Sequence, residues 1–440
     1  MVLRPSWFPE YSPAEQLIFD EVKKIITATY SQFGFAHIQT PAVEANSVLL
    51  SKNWEEAGKQ IFWLYGLAQG AEDAKEYSLH FDLTVPFARY ALDRENDIAF
   101  PFKRFQIQPV WRGERAQRGR FREFRQADID VIWNEWEKTP VPSLAGEIWK
   151  NLYYDAETLV VITKTIGGIV DRFFPNKTFT LHMNNRYLLS GFFSQFPADK
   201  VPELYHLLDK YYKMPFETFQ AALEDIVSKA DAKKILTFVK STFEDLTPDM
   251  VADANYKKWY EEVKQVLDYV HNLNSDKKYN IVRDPCIIRG LDYYTGTVYE
   301  TFFDDDIALG SISSGGRYEN LTGYINPKKT NYAGVGWSIG LSRIVYLILE
   351  KTKPEHTTQT EYLFVNFPET HKESLGLMQQ FIKEGKCVEF YPSADKLGKQ
   401  FGYADKKWIP YVVILGEGEK AEGMYKIKNM KVWTEENKKI

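Results

Sequence analysis

Between Arg112 and Arg125 the sequence sets six arginines (Arg112, Arg115, Arg118, Arg120, Arg122, Arg125) against two acids, Glu114 and Glu123. The chain as a whole is acidic, with 55 Lys plus Arg, 60 Asp plus Glu and a net charge of −5, so this cluster is local and specific in sign. Guanidinium forks grip phosphate oxygens in pairs, and Phe121 and Phe124, interleaved with the arginines, offer rings for a base to stack on. The chemistry indicated is binding of a nucleotide or a nucleic-acid end; the plain alternative is a solvated charged loop. Neither Gly-x-x-x-x-Gly-Lys-Ser/Thr nor a strand-borne Gly-x-Gly-x-x-Gly occurs, so an ATP site must be built in another way.

The elements around this segment position it. Phe105 to Arg112 and Phe124 to Val131 read as the strands of an antiparallel hairpin with a long charged loop, Gly113 to Glu123. Period-two parity sets Arg112 with Gln106 and Gln108, and Gln126 with Asp128 and Asp130, so one sheet face is polar. Leu79 to Val85 alternates as a strand with His80, Asp82 and Thr84 on one side, and a helix is expected after Pro86. Ser12-Pro13-Ala14-Glu15 forms a capping box that opens an amphipathic helix, which Gly34 ends. A helical insertion is expected over about 179–273, followed by strands at Ile281–Val282 and Thr297–Phe303 and a helix from Ser338 to Leu349. Lys351 to Gln359 reads as a linker, and strands at Tyr362–Phe367, Cys387–Tyr391 and Tyr411–Leu415, alternating with two helices, as a small α/β domain.

With 440 residues, 44% apolar and 15% aromatic, the chain has ample material for the cores of two or three domains. Tyr411 to Leu415, among the longest apolar runs, falls far short of the ~20 residues a membrane helix needs. The start, Met1 to Trp7, lacks a signal peptide's apolar stretch, and the expectation is a cytoplasmic protein with no membrane association. Two cysteines, Cys286 and Cys387, and seven scattered histidines suggest neither a disulfide framework nor a metal site built from protein clusters.

Arg112-Gly113-Glu114-Arg115 followed by Gly119-Arg120-Phe121-Arg122-Glu123-Phe124-Arg125-Gln126 resembles motif 2 of class II aminoacyl-tRNA synthetases. Gly334 to Arg343 resembles motif 3, and Pro41 after the first long helix fits motif 1. Arg289-Gly290-Leu291-Asp292-Tyr293-Tyr294 and Ser314-Gly315-Gly316-Arg317-Tyr318-Glu319 resemble the two histidine-specific motifs of histidyl-tRNA synthetases. Lys396 to Lys407 and Val412 to Glu417 resemble that family's anticodon-binding domain. The resemblance departs at His80-Phe81, where the family usually has Arg-Pro, at Trp133 in place of Gly, and at Ser342 in place of an acid.

The resemblance implies an α+β catalytic domain over 1–352, an antiparallel sheet flanked by helices, and an anticodon-binding α/β domain over 360–440. It implies a histidine-tRNA ligase acting on L-histidine, ATP with Mg2+, and tRNA(His), working as a homodimer. Asp82, Thr84 and Gln126 would hold the α-amino group of histidine, and Asp130 and Tyr294 would face the imidazole in a pocket lined by Tyr293. Arg112 and Arg289 would act as the catalytic cations on the α-phosphate and also touch histidine. Glu114, Arg120, Phe124 and Arg343 would join Arg112 in binding ATP. Arg115, Gln117 and Arg118 would meet the acceptor end of the tRNA. Residues 361–440 carry 13 lysines, 12 acids and no arginine, a balance of 13 − 12 = +1, so RNA recognition there is expected to use shape and stacking, with Tyr403 and Trp408 available. The alternative from another class is a non-catalytic paralogue such as the regulatory subunit of an ATP phosphoribosyltransferase.

Overall fold

Alternating burial along the extended segments builds one large sheet. In chain order its strands are β1 (Ala36–His37), β2 (Phe102–Trp111), β3 (Glu123–Asn134), β4 (Phe179–Asn185), β5 (Asn280–Arg283), β6 (Thr297–Phe303), β7 (Ser313–Tyr318) and β8 (Tyr332–Gly340). Their spatial order is β1-β2-β3-β8-β7-β6-β4-β5, antiparallel apart from the two edge pairs. The structure is a computed structural model describing residues 5–51, 60–66, 76–115, 117–134, 152–273, 280–288, 293–352 and 357–440. It divides into two compact units, Met1–Pro9 with Val22–Ile348 and Glu10–Glu21 with Leu349–Ile440.

Register decides what the sheet can do. Arg104 pairs with Asp130, Asp130 with Gly336, and Gly336 with Gly316, making one row across four strands. The next row on the same face is Gln106, Asp128, Ser338, Ser314 and Glu300. The opposite face is apolar, with Phe105, Ala127, Ile129, Val335, Trp337 and Ile339 all buried. Under it lies helix α1 (Pro13–Gln32), whose Tyr30 hydroxyl donates to the Ala127 carbonyl at 3.1 Å. A later helix, Tyr153–Phe173, supplies Asp155, which pairs with buried Arg317 at 2.5 Å. Trp133 fits here: its ring lies 4.9 Å from the Arg317 guanidinium and tilts against Tyr154.

Three expectations are corrected. The alternation at Leu79 to Val85 is not one strand: the strand is Tyr77–Leu79 and a helix, Thr84–Asp93, has already begun. Pro86 is tolerated in that helix's first turn because no intrahelical donor is needed there, and the Val85 amide donates to Asp82 Oδ1 at 3.4 Å. The helices expected from about 179 start only at Arg186, because Phe179–Asn185 joins the sheet as β4 with Phe179, Leu181 and Met183 buried. Asn185 then caps the next helix, accepting from the amides of Tyr187 and Leu188 at 3.0 Å. Ser338 to Gly340 stays in β8, held in register against 126–128, and the helix starts at Leu341.

In the second unit, strands at Tyr362–Phe364, Val388–Phe390 and Tyr411–Ile414 run parallel, as their alternation with helices His371–Lys383 and Leu397–Lys406 requires. Two further strands, Met424–Asn429 and Glu435–Lys439, extend the sheet antiparallel. Among the described residues the non-glycine positions with positive φ are Trp7, Trp408 and Trp433, at 70°, 59° and 58°. A left-handed backbone costs an L-residue about 1–2 kcal/mol, and all three rings are largely exposed.

Candidate active site

Asp130 lies at the floor of the polar face. Its Oδ2 is 2.5 Å from Arg104 Nη2, both side chains fully buried, and the Tyr318 hydroxyl donates to Oδ1 at 3.0 Å. A Cβ on Gly336 would stand 2.0 Å from Oδ1, and one on Gly316 would stand 2.8 Å from the Tyr294 ring. These two glycines therefore leave room for the carboxylate and for Tyr294. Beside them, Asp82 comes from the loop before helix Thr84–Asp93. The Tyr293 hydroxyl donates to Asp82 Oδ2 at 2.9 Å and also bonds the Thr84 side chain. Gln126 Nε2 donates to the Ser338 hydroxyl at 2.7 Å, and Ser338 also bonds Asp128.

Three carboxylates thus share one buried place. Burial pushes Asp82 up to about 6, with the Tyr293 bond and Arg112 pulling it back. Burial raises Asp128 and Asp130 to about 7, opposed chiefly by Arg104. Arg104 Nε and Nη1, Asp128 Oδ1 and Gln126 Oε1 are buried with no hydrogen-bond partner. Buried polar atoms left so cost stability; a small ligand would satisfy Asp128 Oδ1 and Gln126 Oε1 with cationic N–H donors, and the Arg104 nitrogens only with an acceptor of its own.

The arginines form the adjoining half. Arg112 Nε donates to the Phe81 carbonyl at 3.0 Å, and its guanidinium lies 5.1 Å from the centre of the Phe124 ring. Arg343 Nε donates to the Gly119 carbonyl at 3.1 Å and Nη1 to the Ser311 carbonyl. Burial lowers the Arg343 pKa, and the like charges of Arg120 and Arg112 lower it further. Cations crowded until they weaken one another make a place for a polyanion. Glu114 and Arg120 grip each other in a two-pronged pair, with Nε to Oε1 at 2.7 Å. Ser342 accepts from the Arg125 amide at 2.8 Å, tying the helix after β8 to β3. His80 is buried and its Nε2 bonds the Pro109 carbonyl at 2.8 Å.

The structure brings Asp82, Thr84, Gln126, Asp130, Tyr293 and Tyr294 to one end of this face, and Arg112, Glu114, Arg120, Phe124 and Arg343 beside it. Arg115, Gln117 and Arg118 stand exposed at the hairpin tip, where Arg118 comes within 3.5 Å of Asp306. Arg289 lies outside the described residues. In the second unit Tyr403 is engaged, its hydroxyl donating to Glu389 at 2.8 Å, whereas Trp408 is 59% exposed. Sequence reasoning gave no site role to Arg104, Asp128, Tyr318 or Ser338, although it set Asp128 on the polar face and Tyr318 within a motif. The parity that selected Gln106 and Gln108 already includes Arg104, and Tyr318 follows Gly316 by two on the same face.

A model described as histidyl-tRNA synthetase matches residues 151–344, and one described as an anticodon binding domain matches 362–440. The histidine–tRNA ligase of Clostridium tetani is 35% identical, the match covering 99% of this chain and 96% of that protein. The chain belongs to the histidyl-tRNA synthetase family. The crystal structure of histidyl-tRNA synthetase from Nostoc sp. PCC 7120 superposes with a TM-score of 0.84 at 32% identity, over 100% of this chain and 97% of that one. A Bacillus halodurans structure titled ATP phosphoribosyltransferase regulatory subunit/histidyl-tRNA synthetase shares the fold, at 16% identity and a TM-score of 0.71 over 92% of this chain and 96% of that one. Within the histidyl-tRNA synthetase family, then, Asp128 and Asp130 stand on β3, Asp82 on the loop before helix Thr84–Asp93, and the crowded arginines at the end of β2, in the hairpin loop and on the helix after β8.

Proposed function

We propose that this protein ligates histidine to tRNA(His) in two steps. Histidine and ATP give histidyl-adenylate and pyrophosphate, and the acyl group then passes to the terminal ribose. The observation carrying this reading is the buried polar cluster around Asp130, a carboxylate flanked by Arg104 and Tyr318 beside a group of arginines. Asp82, Thr84 and Gln126 accept from the substrate's ammonium group, while Asp130 and Tyr294 address the imidazole nitrogens. Arg112, with Arg289, steadies the charge that grows on the α-phosphate as the carboxylate attacks; Arg120 and Arg343 hold the outer phosphates, Phe124 stacks on adenine and Glu114 meets its amine. Engaging ATP asks Arg120 and Glu114 to exchange each other for the nucleotide.

Mg2+ bound with ATP would offset phosphate charge. Among the described residues no group of three His, Cys, Asp or Glu forms a metal cage. Glu300, whose carboxyl burial pushes up to about 7 and which feels the charge of Arg343, is an oxygen donor that fits such an ion. Residues 1–352 would be the catalytic domain, with its helical insertion starting at 186, and 360–440 the anticodon-binding domain. Arg115, Gln117 and Arg118 would touch the acceptor end. Among the described residues no helix is long and apolar enough to cross a membrane; the cytoplasmic setting is inferred from the ligase reading. The homodimer is inferred from the motif 1 resemblance.

The regulatory reading is not favoured, because the full-length similarity runs to ligases and the pocket's carboxylates and arginines are all present. The test is ATP–pyrophosphate exchange by the purified chain against each amino acid without tRNA. Histidine alone should support exchange; exchange with proline, threonine or glycine in its place would overturn the assignment.

A further inference from the structure

We propose that Trp408 and Trp433 are the base-stacking residues through which the 349–440 unit takes hold of unpaired RNA. This rests on the tRNA reading above and on the match of 362–440 to an anticodon binding domain. Trp408 follows helix Leu397–Lys406 at the position where the chain turns left-handed. Its amide donates to the Asp405 carbonyl at 3.0 Å and the Ile409 amide to the Ala404 carbonyl at 2.9 Å, the pair of bonds of a Schellman cap, whose left-handed residue is usually glycine. Trp433 occupies the equivalent place in a hairpin turn: its amide donates to the Asn429 carbonyl at 2.9 Å, as does the Asn429 amide to the Thr434 carbonyl. Positive φ is uncommon outside glycine and is an outlier for a bulky side chain. Two tryptophans therefore stand where the backbone asks for glycine, and folding gains little from their rings, which are 59% and 60% exposed.

The two lie at the same end of the sheet. Tyr411 pairs with Asn429, and the Met430 amide donates to the Pro410 carbonyl at 2.9 Å. Trp408 thus precedes one strand where Trp433 follows its neighbour. Lys428 Nζ lies 5.0 Å from the Trp433 ring centre and 5.2 Å from that of Phe401, and it pairs with Glu435 Oε1 at 3.1 Å. Lys406 and Lys431 stand exposed nearby in sequence, and residues 430–434 contain no acid. Exposed rings with lysines suit bases on a phosphate backbone, since every base has a face to stack. With a local balance this modest, stacking, not bulk charge, must supply the grip. Single exposed aromatics need no explanation; two at one end, both held at backbone positions that disfavour them, do.

The test uses the full chain as Trp408→Gly, Trp433→Gly, the double variant, and Trp408→Phe with Trp433→Phe. Affinity for a tRNA(His) transcript, apparent Tm and histidine-dependent pyrophosphate exchange are measured on each. Losing one stacked base should weaken RNA binding by about 5- to 150-fold, with the salt dependence unchanged because no cation is removed. The Phe variants should retain most of the affinity. The Gly variants should keep or raise Tm, because glycine adopts the left-handed backbone freely, and should leave pyrophosphate exchange untouched. Unchanged RNA affinity in the double Gly variant overturns the proposal. So does a fall in Tm that accompanies lost affinity, which would mark the rings as structural. Loss of self-association with RNA binding intact would make this a contact between copies of the chain, and equally overturn it. Failure of the parent chain to support exchange would count against the ligase reading and leave this RNA result to be judged on its own.

Discussion

Asp130 illustrates how a single side chain is set by its neighbours. A carboxylate buried without compensation would stay protonated, yet Arg104 at 2.5 Å and the Tyr318 hydroxyl at 3.0 Å favour the charged form. Asp130→Asn should weaken histidine by about 1–3 kcal/mol, as a mismatched buried polar pair does, while ATP binding is unaffected; calorimetry on each substrate separates the two, and equal losses would mean the residue only supports the sheet. Asp128 carries a pH prediction. Burial holds its folded pKa at about 7, above the ordinary carboxylate value of 3.8, so its contribution to stability is fully present below about pH 4 and lost as pH rises through about 7. Asp128→Asn removes that loss, so the apparent Tm of the variant relative to the parent should increase from pH 5 to pH 8. A difference that does not change with pH would show that the carboxyl does not titrate in this range.

At the scale of elements, the site depends on close approach between strands. Gly336 sits in β8 between Asp130 and Gly316, and nothing larger than hydrogen fits above the carboxylate. Gly336→Ala should cost about 1–3 kcal/mol of stability from overpacking and displace Asp130, raising the KM for histidine more than that for ATP. A variant with lowered Tm and unaltered KM for histidine would separate the strand's packing from its part in the pocket. The arginine hairpin works similarly: its strands hold Arg112 and Phe124 in register, and the Arg343 bonds to Gly119 and Ser311 tie its loop to the helix after β8.

For the molecule as a whole, two cores divide the labour. The second unit has its own, in which Leu363, Val412 and Ala404 are fully buried. Leu363→Ala should cost that unit about 2–5 kcal/mol and so introduce an early melting step. Aminoacylation of tRNA should fall near that step while histidine-dependent pyrophosphate exchange persists. Simultaneous loss of both activities would show that the units do not melt separately.

Local patterns were enough to read much of this protein. The polar face of β2 and β3 follows from period two, and so do the hairpin and the alternating strands and helices of the tail, because side-chain direction in a strand depends only on counting. The motifs quoted from the sequence carried the family. Other features required contacts distant in sequence. Arg104 meets Asp130 across the β2–β3 pair, Tyr318 reaches it from 188 residues away, and helix Thr84–Asp93 starts earlier than alternation suggested because tertiary burial overrides a period shared by only a few residues. Ser338 remained in a strand because its neighbours 126–128 offered a ladder that no local signal announces. The left-handed backbone of Trp408 and Trp433 was likewise hidden, since a tryptophan in sequence gives no sign of standing where glycine belongs; only the closed cap and the closed turn decide it.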